Sequence, residues 1–374
     1  MSEAVLVTGG AGFIGSHVVD RLVSTGRDVR VLDSLEPQVH GAGGGHRNAG
    51  AEYTVGSVLD RRIVAEALDG VGSVVHLAAQ VGVGQSMYDL SRYVQDNCLG
   101  TAVLLEAIAE RRNQISALVV ASSMSIYGEG RYACGACGVD DVEVARSRDD
   151  LDAREWEPRC LRCGSRAVPL PTPEKKRLEC DSVYAVSKRD QEEMVLVFGR
   201  AYALRTVALR FFNTYGPRQS LSNPYTGVAA IFAGRLLNGR RPVVFEDGLQ
   251  SRDFVHVHDV SEAVVQAVEA DDVGDVALNI GTGIPTTVLD VARVLAEELE
   301  VPGEAQVDGR FRSGDIRHCY SDITAARSAF GYDPKVSFAD GMRDLIGWIR
   351  SETPAAADRS EESTAELVTR GLVR

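Results

Sequence analysis

The chain reads as an α/β protein with three parts: a doubly wound parallel sheet, a smaller C-terminal α/β region and a cysteine-rich insertion. Two observations lead to this reading. Short apolar, β-branched runs alternate with longer amphipathic stretches, which is the pattern of βαβ units. The first such run also passes through a glycine-rich turn straight into the first amphipathic stretch. The expected strands are 4–8, 28–33, 73–78, 117–122, 205–210, 243–245 and 276–280. The expected helices are 12–25, 61–69, 92–111, 183–203, 227–238, 259–269 and 287–299. Two segments break the rhythm. Residues 131–173 are polar, carry four cysteines and show no clear period, so they read as an insertion. Residues 351–374 are rich in Ala, Ser, Glu and Thr and read as a mobile tail, with Ala365–Val373 able to form a short helix.

The first strand, Val5-Leu6-Val7-Thr8, runs into Gly9-Gly10-Ala11-Gly12-Phe13-Ile14-Gly15. Gly9 permits the tight turn, Gly12 lets backbone approach a pyrophosphate, and Gly15 lets the helix pack on the sheet. Phe13 and Ile14 open the helix, whose N-terminus faces the diphosphate charge. Asp33 ends the next strand, 18 residues after Gly15. A carboxylate there accepts hydrogen bonds from ribose hydroxyls and repels a 2′-phosphate, which selects NAD over NADP. Strand, turn, helix and acid in this order describe a Rossmann dinucleotide site. Ser57 and Val58, after the third strand, are expected near the adenine, with Ser57 standing where Asp is usual. Leu77, Ala78 and Ala79, ending the fourth strand, are expected beside the nicotinamide half, and His76 reads as a packed strand-end histidine.

Tyr184 and Lys188 stand at i and i+4, on one face of a helix. A phenol titrates near pH ~10, so it is a poor base at neutral pH. A neighbouring ammonium and a nicotinamide cation favour the phenolate, and Tyr184 can then exchange a proton with a substrate hydroxyl. Lys188 can also hold the nicotinamide ribose. Upstream, Val119-Val120-Ala121-Ser122-Ser123 ends a strand, and a hydroxyl there can orient the same oxygen. Ser122 reads as a turn cap.

Composition limits the partners. The net charge of −13 argues against nucleic acid and anionic membranes, and no apolar run is long enough to span a bilayer. Seven cysteines and no signal-peptide pattern lead to the expectation of a reducing cytoplasm. Cys134-x-x-Cys137 and Cys160-x-x-Cys163 are separated by 22 residues, and each pair is followed by a glycine, Gly138 or Gly164. Two such knuckles suit a structural, four-thiolate zinc site with no open position for catalysis. The other reading is four free thiols in a loose loop. Cys98 and Cys180 read as plain thiols.

These motifs together resemble the extended short-chain dehydrogenase/reductase family, in its nucleotide-sugar epimerase/dehydratase branch. The resemblance runs from residue 4 to about 348, interrupted by 131–173. Within Ser-Ser-Met-Ser-Ile-Tyr-Gly it implies that Ser123 is the catalytic hydroxyl, with Ser125 near the substrate. Asp96-Asn97-x-x-Gly100-Thr101 implies a structural Asn97 on the cofactor side, and Arg210-Phe-Phe-Asn213-x-x-Gly216-Pro217 implies Asn213 near the sugar diphosphate. Arg252 and the pair Arg312 and Asp315 are implied to hold the diphosphate and nucleotide ribose, Phe245 to lie against the base, and Cys319 to leave room for the sugar. A lone arginine can instead be a surface ion-pair residue.

The family's dehydratases and decarboxylases carry carboxylates where this chain has Met124 and Ser125, so both reactions are disfavoured. The resemblance then implies a 4-epimerase. Tyr184 takes the C4 proton, hydride passes to a tightly bound NAD, the 4-keto sugar turns, and hydride returns to its other face. A nucleotide-sugar ketoreductase or dehydrogenase is the enzymatic alternative, and a non-catalytic dinucleotide-sensing scaffold is the other. Residues 76–88, 121–130 and 222–230 resemble dTDP-L-rhamnose 4-epimerase-like proteins, which implies a dTDP-activated hexose or 6-deoxyhexose. Helices 92–111 and 183–203 resemble those that form the family's four-helix homodimer interface. The expected division is 1–130 with 174–210 for NAD, 131–173 for zinc, 211–350 mainly for the nucleotide sugar, and 351–374 as the tail.

Overall fold

Seven strands form one parallel sheet in this computed structural model, which describes residues 4–40, 44–220, 227–302, 304–312, 314–351 and 360–373. In chain order they are β1 (Ala4–Thr8), β2 (Val29–Asp33), β3 (Ala51–Val55), β4 (Val71–His76), β5 (Ala117–Ser123), β6 (Arg205–Phe211) and β7 (Val276–Ile280). They lie side by side as β7-β6-β5-β4-β1-β2-β3. The central strands are buried on both faces, which is why they read as continuous apolar runs rather than alternating ones. Val18, Val19 and Leu22 of helix α1 (Phe13–Ser24) pack on one face with Val260 and Val264 of Val257–Glu269. Val64, Leu104, Ile108 and Val195 cover the other. Each such side chain contributes about 1.5–3 kcal/mol of burial.

The strand order reverses between β1 and β4, and a crevice opens there at the carboxyl ends of the strands. The helix expected at 92–111 runs from Leu90 to Ala109, with a π-helical stretch over Val94–Leu99. That wider turn carries Asp96 and Asn97, and such turns recur at functional sites.

The run expected as strand 243–245 stands apart from the main sheet, where Val243–Val244 pairs with Gln306–Val307. A second small sheet joins Asn213–Tyr215, Ser251–His256 and Pro285–Thr287, and His318–Cys319 pairs in parallel with Ser251–Arg252. Its core adds Val228–Leu237, Val288–Leu299 and the amphipathic helix Phe338–Ser351.

Residues 131–173 fold as a small unit with two antiparallel strand pairs, one nested inside the other in the chain. Arg131–Ala133 pairs with Val168–Leu170, and Val144–Ala145 with Arg159–Cys160. Its apolar cluster holds only Tyr132, Cys134, Val142, Cys160 and Ala167 as buried members, too little to stabilise a fold without a staple.

The expectation of a mobile tail needs correcting over 360–373, where the helix allowed for at Ala365–Val373 starts earlier. Ser360–Thr369 is a helix, Leu367 and Val373 are buried, and Val373 bridges to Arg312. Leu367 and Val373, two large apolar residues in an otherwise polar stretch, are the ones that pack on the body. Among the described residues, no helix is long and apolar enough to cross a membrane.

Candidate active site

A cleft of about 1060 Å³ opens at the β1/β4 crevice. Gly9, Gly12, Phe13, Ile14, Gly15, Asp33, Ser57, Val58, Leu77, Ala78, Ala79, Ser123, Tyr184, Lys188 and Asn213 all line it. Gly9 adopts φ +72°, and a Cβ there would lie 2.8 Å from the Ala78 nitrogen. A Cβ on Gly15 would lie 2.1 Å from the Gly9 carbonyl oxygen. Both positions therefore require glycine, and together they bring the chain and the α1 N-terminus close to any ligand in the cleft. Asp33 accepts hydrogen bonds from Ala11 N at 3.0 Å and Leu35 N at 2.8 Å, and lies 3.3 Å from His40 Nε2. Burial opposes its charge, but these hydrogen bonds outweigh it and hold the carboxyl below its ordinary range. An ionised acid at the end of β2 suits a ribose diol and disfavours a phosphate.

The helix that carries Tyr184 and Lys188, Val183–Tyr202, starts where Ser182 Oγ accepts from Ala185 N at 3.1 Å. It is fixed from below by Arg210, whose guanidinium grips Glu192 through two hydrogen bonds of 2.6 and 3.0 Å and donates to Tyr127 Oη at 2.7 Å. A buried polar chain crosses the switch point. Thr8 Oγ1 meets His76 Nδ1 at 2.7 Å, and His76 Nε2 meets Thr101 Oγ1 at 2.9 Å. Gln191 Nε2 donates to Thr101 Oγ1 at 2.8 Å, and Lys188 Nζ donates to Gln191 Oε1 at 2.6 Å. His76 is thus a packed, hydrogen-bonded strand-end residue. Gln191 carries no motif and was not singled out in the sequence. Its only signal is its place one turn after Lys188.

Ser125 Oγ donates to Ser123 Oγ at 2.9 Å, and the Ser123 hydroxyl stands beside the Tyr184 phenol. Burial pushes Tyr184 up, against the Ser123 hydroxyl, which favours the ionised phenol. Burial also pushes Lys188 down to about 7. Lys188 is oriented by Gln191, and the hydroxyl beside Tyr184 is that of Ser123.

Several other expected roles shift. Ser125 turns to Ser123 and does not line the cleft. Capping falls to Ser123 Oγ, which accepts from Ser125 N at 3.2 Å. Ser122 Oγ is buried with no partner among the described residues. Asn97 is fully buried, bonded to Gln80 N at 2.7 Å and to Ser187 Oγ at 2.8 Å. It joins the loop after β4 to the helix of Tyr184 and Lys188 and does not reach the cleft. Cys319 is buried, 3.9 Å from Thr172 Oγ1, and is not part of the cleft lining.

Phe245, Arg252, Arg312 and Asp315 gather in a second cluster outside the cleft lining. Arg312 stacks over Phe245 at 4.8 Å, and Arg252 Nη2 lies 3.2 Å from Asp315 Oδ1. Arg252 also donates to the carbonyls of Ser251, Ile316 and Arg317. Asn213 Oδ1 is buried without a hydrogen-bond partner among the described residues. Of the 222–230 stretch, residues 222–226 lie outside the described residues.

In the insertion, Cys134 Sγ lies 3.6 Å from Cys163 Sγ, and Cys137 Sγ 3.9 Å from Cys160 Sγ. All four sulfurs fall within 4.8 Å of one another. Gly138 and Gly164, at φ +65° and +73°, turn the two knuckles.

The chain matches the NAD dependent epimerase/dehydratase family over residues 5–141 and 153–281. The chain belongs to that family. It is 35% identical over 365 residues to a dTDP-L-rhamnose 4-epimerase of Burkholderia thailandensis, covering 94% of this chain and 96% of that one. Among solved structures it superposes on a UDP-glucose 4-epimerase from Thermotoga maritima with UDP-glucose, at TM-score 0.77 and 30% identity, covering 93% of this chain and 99% of that one. It is equally similar in sequence, at 30% identity and TM-score 0.74, to a Thermus thermophilus UDP-glucose 4-epimerase in complex with NAD, covering 94% and 100%. The gap in the family match, 142–152, falls inside the cysteine-bearing insertion.

Proposed function

We propose that the chain is an NAD-dependent nucleotide-sugar 4-epimerase acting on a dTDP-hexose or dTDP-6-deoxyhexose such as dTDP-L-rhamnose. The observation that carries this reading is the convergence of Ser123, Tyr184 and Lys188 on a cleft whose far end holds an ionised Asp33. NAD bound there supplies the acceptor and donor of the electron pair at the sugar carbon. Tyr184 accepts the C4 hydroxyl proton as the carbonyl forms and returns it when the carbonyl is reduced again. Ser125 polarises Ser123, and Ser123 holds both the phenol and the substrate oxygen. Lys188, oriented by Gln191, serves the nicotinamide ribose. Met124 is buried and Ser125 is engaged by Ser123, so neither position offers the acid or base that elimination of water or CO₂ needs. A preference for dTDP is supported by the 35% identical relative. A ketoreductase requires exchangeable reductant, usually NADPH, and Asp33 counts against that.

The enzyme should therefore interconvert C4 stereoisomers of a dTDP-sugar with no added cofactor and no net NADH formed, because the NAD stays bound. A strict need for added reductant would sink the reading.

The reading includes three further parts. The four insertion thiolates hold a structural zinc. A tetrahedron with Zn–S of ~2.3 Å has edges of ~3.8 Å, close to the 3.6 and 3.9 Å sulfur separations. Metal analysis should find one zinc per chain, absent from a Cys134→Ser, Cys163→Ser double variant that keeps its NAD. The chain works as a homodimer, supported by exposed Leu90, Val94 and Leu99 on one helix and exposed Val186 and Val197 on the catalytic helix. It works in the cytoplasm, where free thiols persist.

A further inference from the structure

The segment that carries Arg312 and Asp315 has few apolar anchors of its own. Phe311 is buried and Ile316 partly so, and the rest of its fixation is polar. Much of that polar fixation comes from the insertion. Arg146, with its side chain 7% exposed, donates to the Asp315 carbonyl, pairs with Glu246 at 2.6 Å and lies 3.4 Å from Glu129. Glu157 pairs with Arg317 at 2.5 Å and with His318 at 3.1 Å. Trp156 packs against Phe311, with ring centroids 6.2 Å apart.

The charges interlock, with the guanidiniums of Arg146 and Arg317 facing the carboxylates of Glu129, Glu157, Glu246 and Asp247. The Arg317 side chain is wholly buried and meets Glu157, Glu246 at 2.9 Å and Asp247 at 2.7 Å. Glu246 is shared, since it also takes Arg146. It directly follows Phe245, while His318 stands beside Ser251 and Cys319 beside Arg252 in the parallel pairing. Arg146 thus holds the Asp315 backbone and the residue next to Phe245, and Glu157 holds Arg317 and His318 just beyond. Burial opposes the Glu157 charge, but hydrogen bonds from His318 and Arg317 outweigh it and hold the carboxyl down at about 2, so this grip is ionised at neutral pH.

We propose that Arg146 and Glu157 are positioning residues for the nucleoside diphosphate end of the substrate. They fix Asp315, Arg317 and His318 so that Arg252, Arg312 and Phe245 meet a pyrimidine nucleoside diphosphate already in place. The insertion is thereby a working part of substrate recognition rather than a surface ornament. Removing one member takes away ion pairs and hydrogen bonds that hold the segment and lets it relax, so ordering it again is charged against binding. The proposal rests on the reading that this cluster takes the nucleotide diphosphate.

The test uses the full-length NAD-loaded protein and its Arg146→Gln, Arg146→Lys and Glu157→Gln variants. Calorimetric titration with TDP and with UDP measures the nucleotide end alone, and steady-state kinetics on a dTDP-sugar separates KM from kcat. TDP affinity should weaken about tenfold in Arg146→Gln and in Glu157→Gln. KM should rise in step, with kcat held within about twofold and NAD content unchanged, and Arg146→Lys should recover part of the affinity. Should Arg146→Gln fail to fold, Glu157→Gln decides, because that side chain is 30% exposed. Unchanged TDP affinity in a folded Glu157→Gln, or a fall in kcat at constant KM, overturns the proposal. A wild-type protein that binds neither TDP nor UDP overturns instead the nucleotide-sugar reading beneath it.

Discussion

Around Gly9 and Gly15 the protein brings bare backbone and a helix N-terminus to its ligand cleft, and the fit leaves no room for a single added carbon. Around Phe245, Arg252 and Asp315 it brings guanidinium groups instead. Those are held by a web of carboxylates and carbonyls from five separate stretches of chain. The first region is made by local geometry, and steric exclusion protects it. The second is made by interlocked ion pairs, and its members come together only when the chain is folded. Damage to the first should therefore be abrupt and confined to cofactor and chemistry. Damage to the second should be graded and should appear in substrate affinity.

The largest effect belongs to the chemical group on the first region. Tyr184→Phe should lower kcat about 10³-fold, measured as stereoisomer formed per chain, with NAD still bound. Turnover at the wild-type rate would remove Tyr184 from the mechanism.

Acid separates the two regions next. Burial lowers His76 and His256 to about 3 and His17 to about 4. Unfolded, these rings take up protons near pH 6.5, so below that pH the unfolded state binds more protons and stability falls. At pH 5.5 the three together should cost about 4 kcal/mol. Glu157 has a depressed carboxyl, so its contribution is present above about 4.5 and is lost only as pH falls toward about 2. Thermal melts should therefore weaken steadily from pH 7 to 5 while the Glu157 grip stays ionised. A flat melting temperature over that range would contradict the neutral, buried histidines.

Gly15→Ala tests steric exclusion directly. A methyl placed 2.1 Å from the Gly9 carbonyl must displace backbone, costing about 2 kcal/mol or more, with NAD lost on gel filtration. A stable variant with full NAD content would show that the turn is more yielding than its packing indicates. The smallest effect is at Asp33. Asp33→Asn should narrow the preference for NAD over NADP by about tenfold in binding titrations, and an unchanged ratio would move the discrimination elsewhere.

The first region could be read almost completely from the sequence, because each requirement is met by a residue type at a fixed spacing. Gly9, Gly15, Asp33, Tyr184 and Lys188 are neighbours in motif before they are neighbours in space. The roles of Ser123 and Ser125 were less accessible, since a hydroxyl at a strand end suits both a cap and a catalyst. Their division of labour depends on which one points at Tyr184. Gln191, Arg146 and Glu157 carry no pattern at all. Arg146 lies 100 residues from Glu246 and 169 from Asp315, and a polar residue in an aperiodic stretch looks the same whether it meets solvent or a buried partner.

Backbone chemistry and periodicity were enough to specify the parallel sheet, its glycine turn, the acid after β2, the Tyr–Lys helix and two cysteine knuckles at ligand spacing. These depend on φ, on Cβ volume and on residues a few positions apart, all of which are written locally. Folding was needed to place the insertion on the segment of Arg312 and Asp315. It also turned Ser125 toward Ser123, sank Asn97 and Cys319 out of reach of the cleft, and drew residues 360–373 back onto the body. Those outcomes depend on which buried charge finds which partner across long stretches of chain. Such balances of desolvation against pairing exist only once the whole surface has closed.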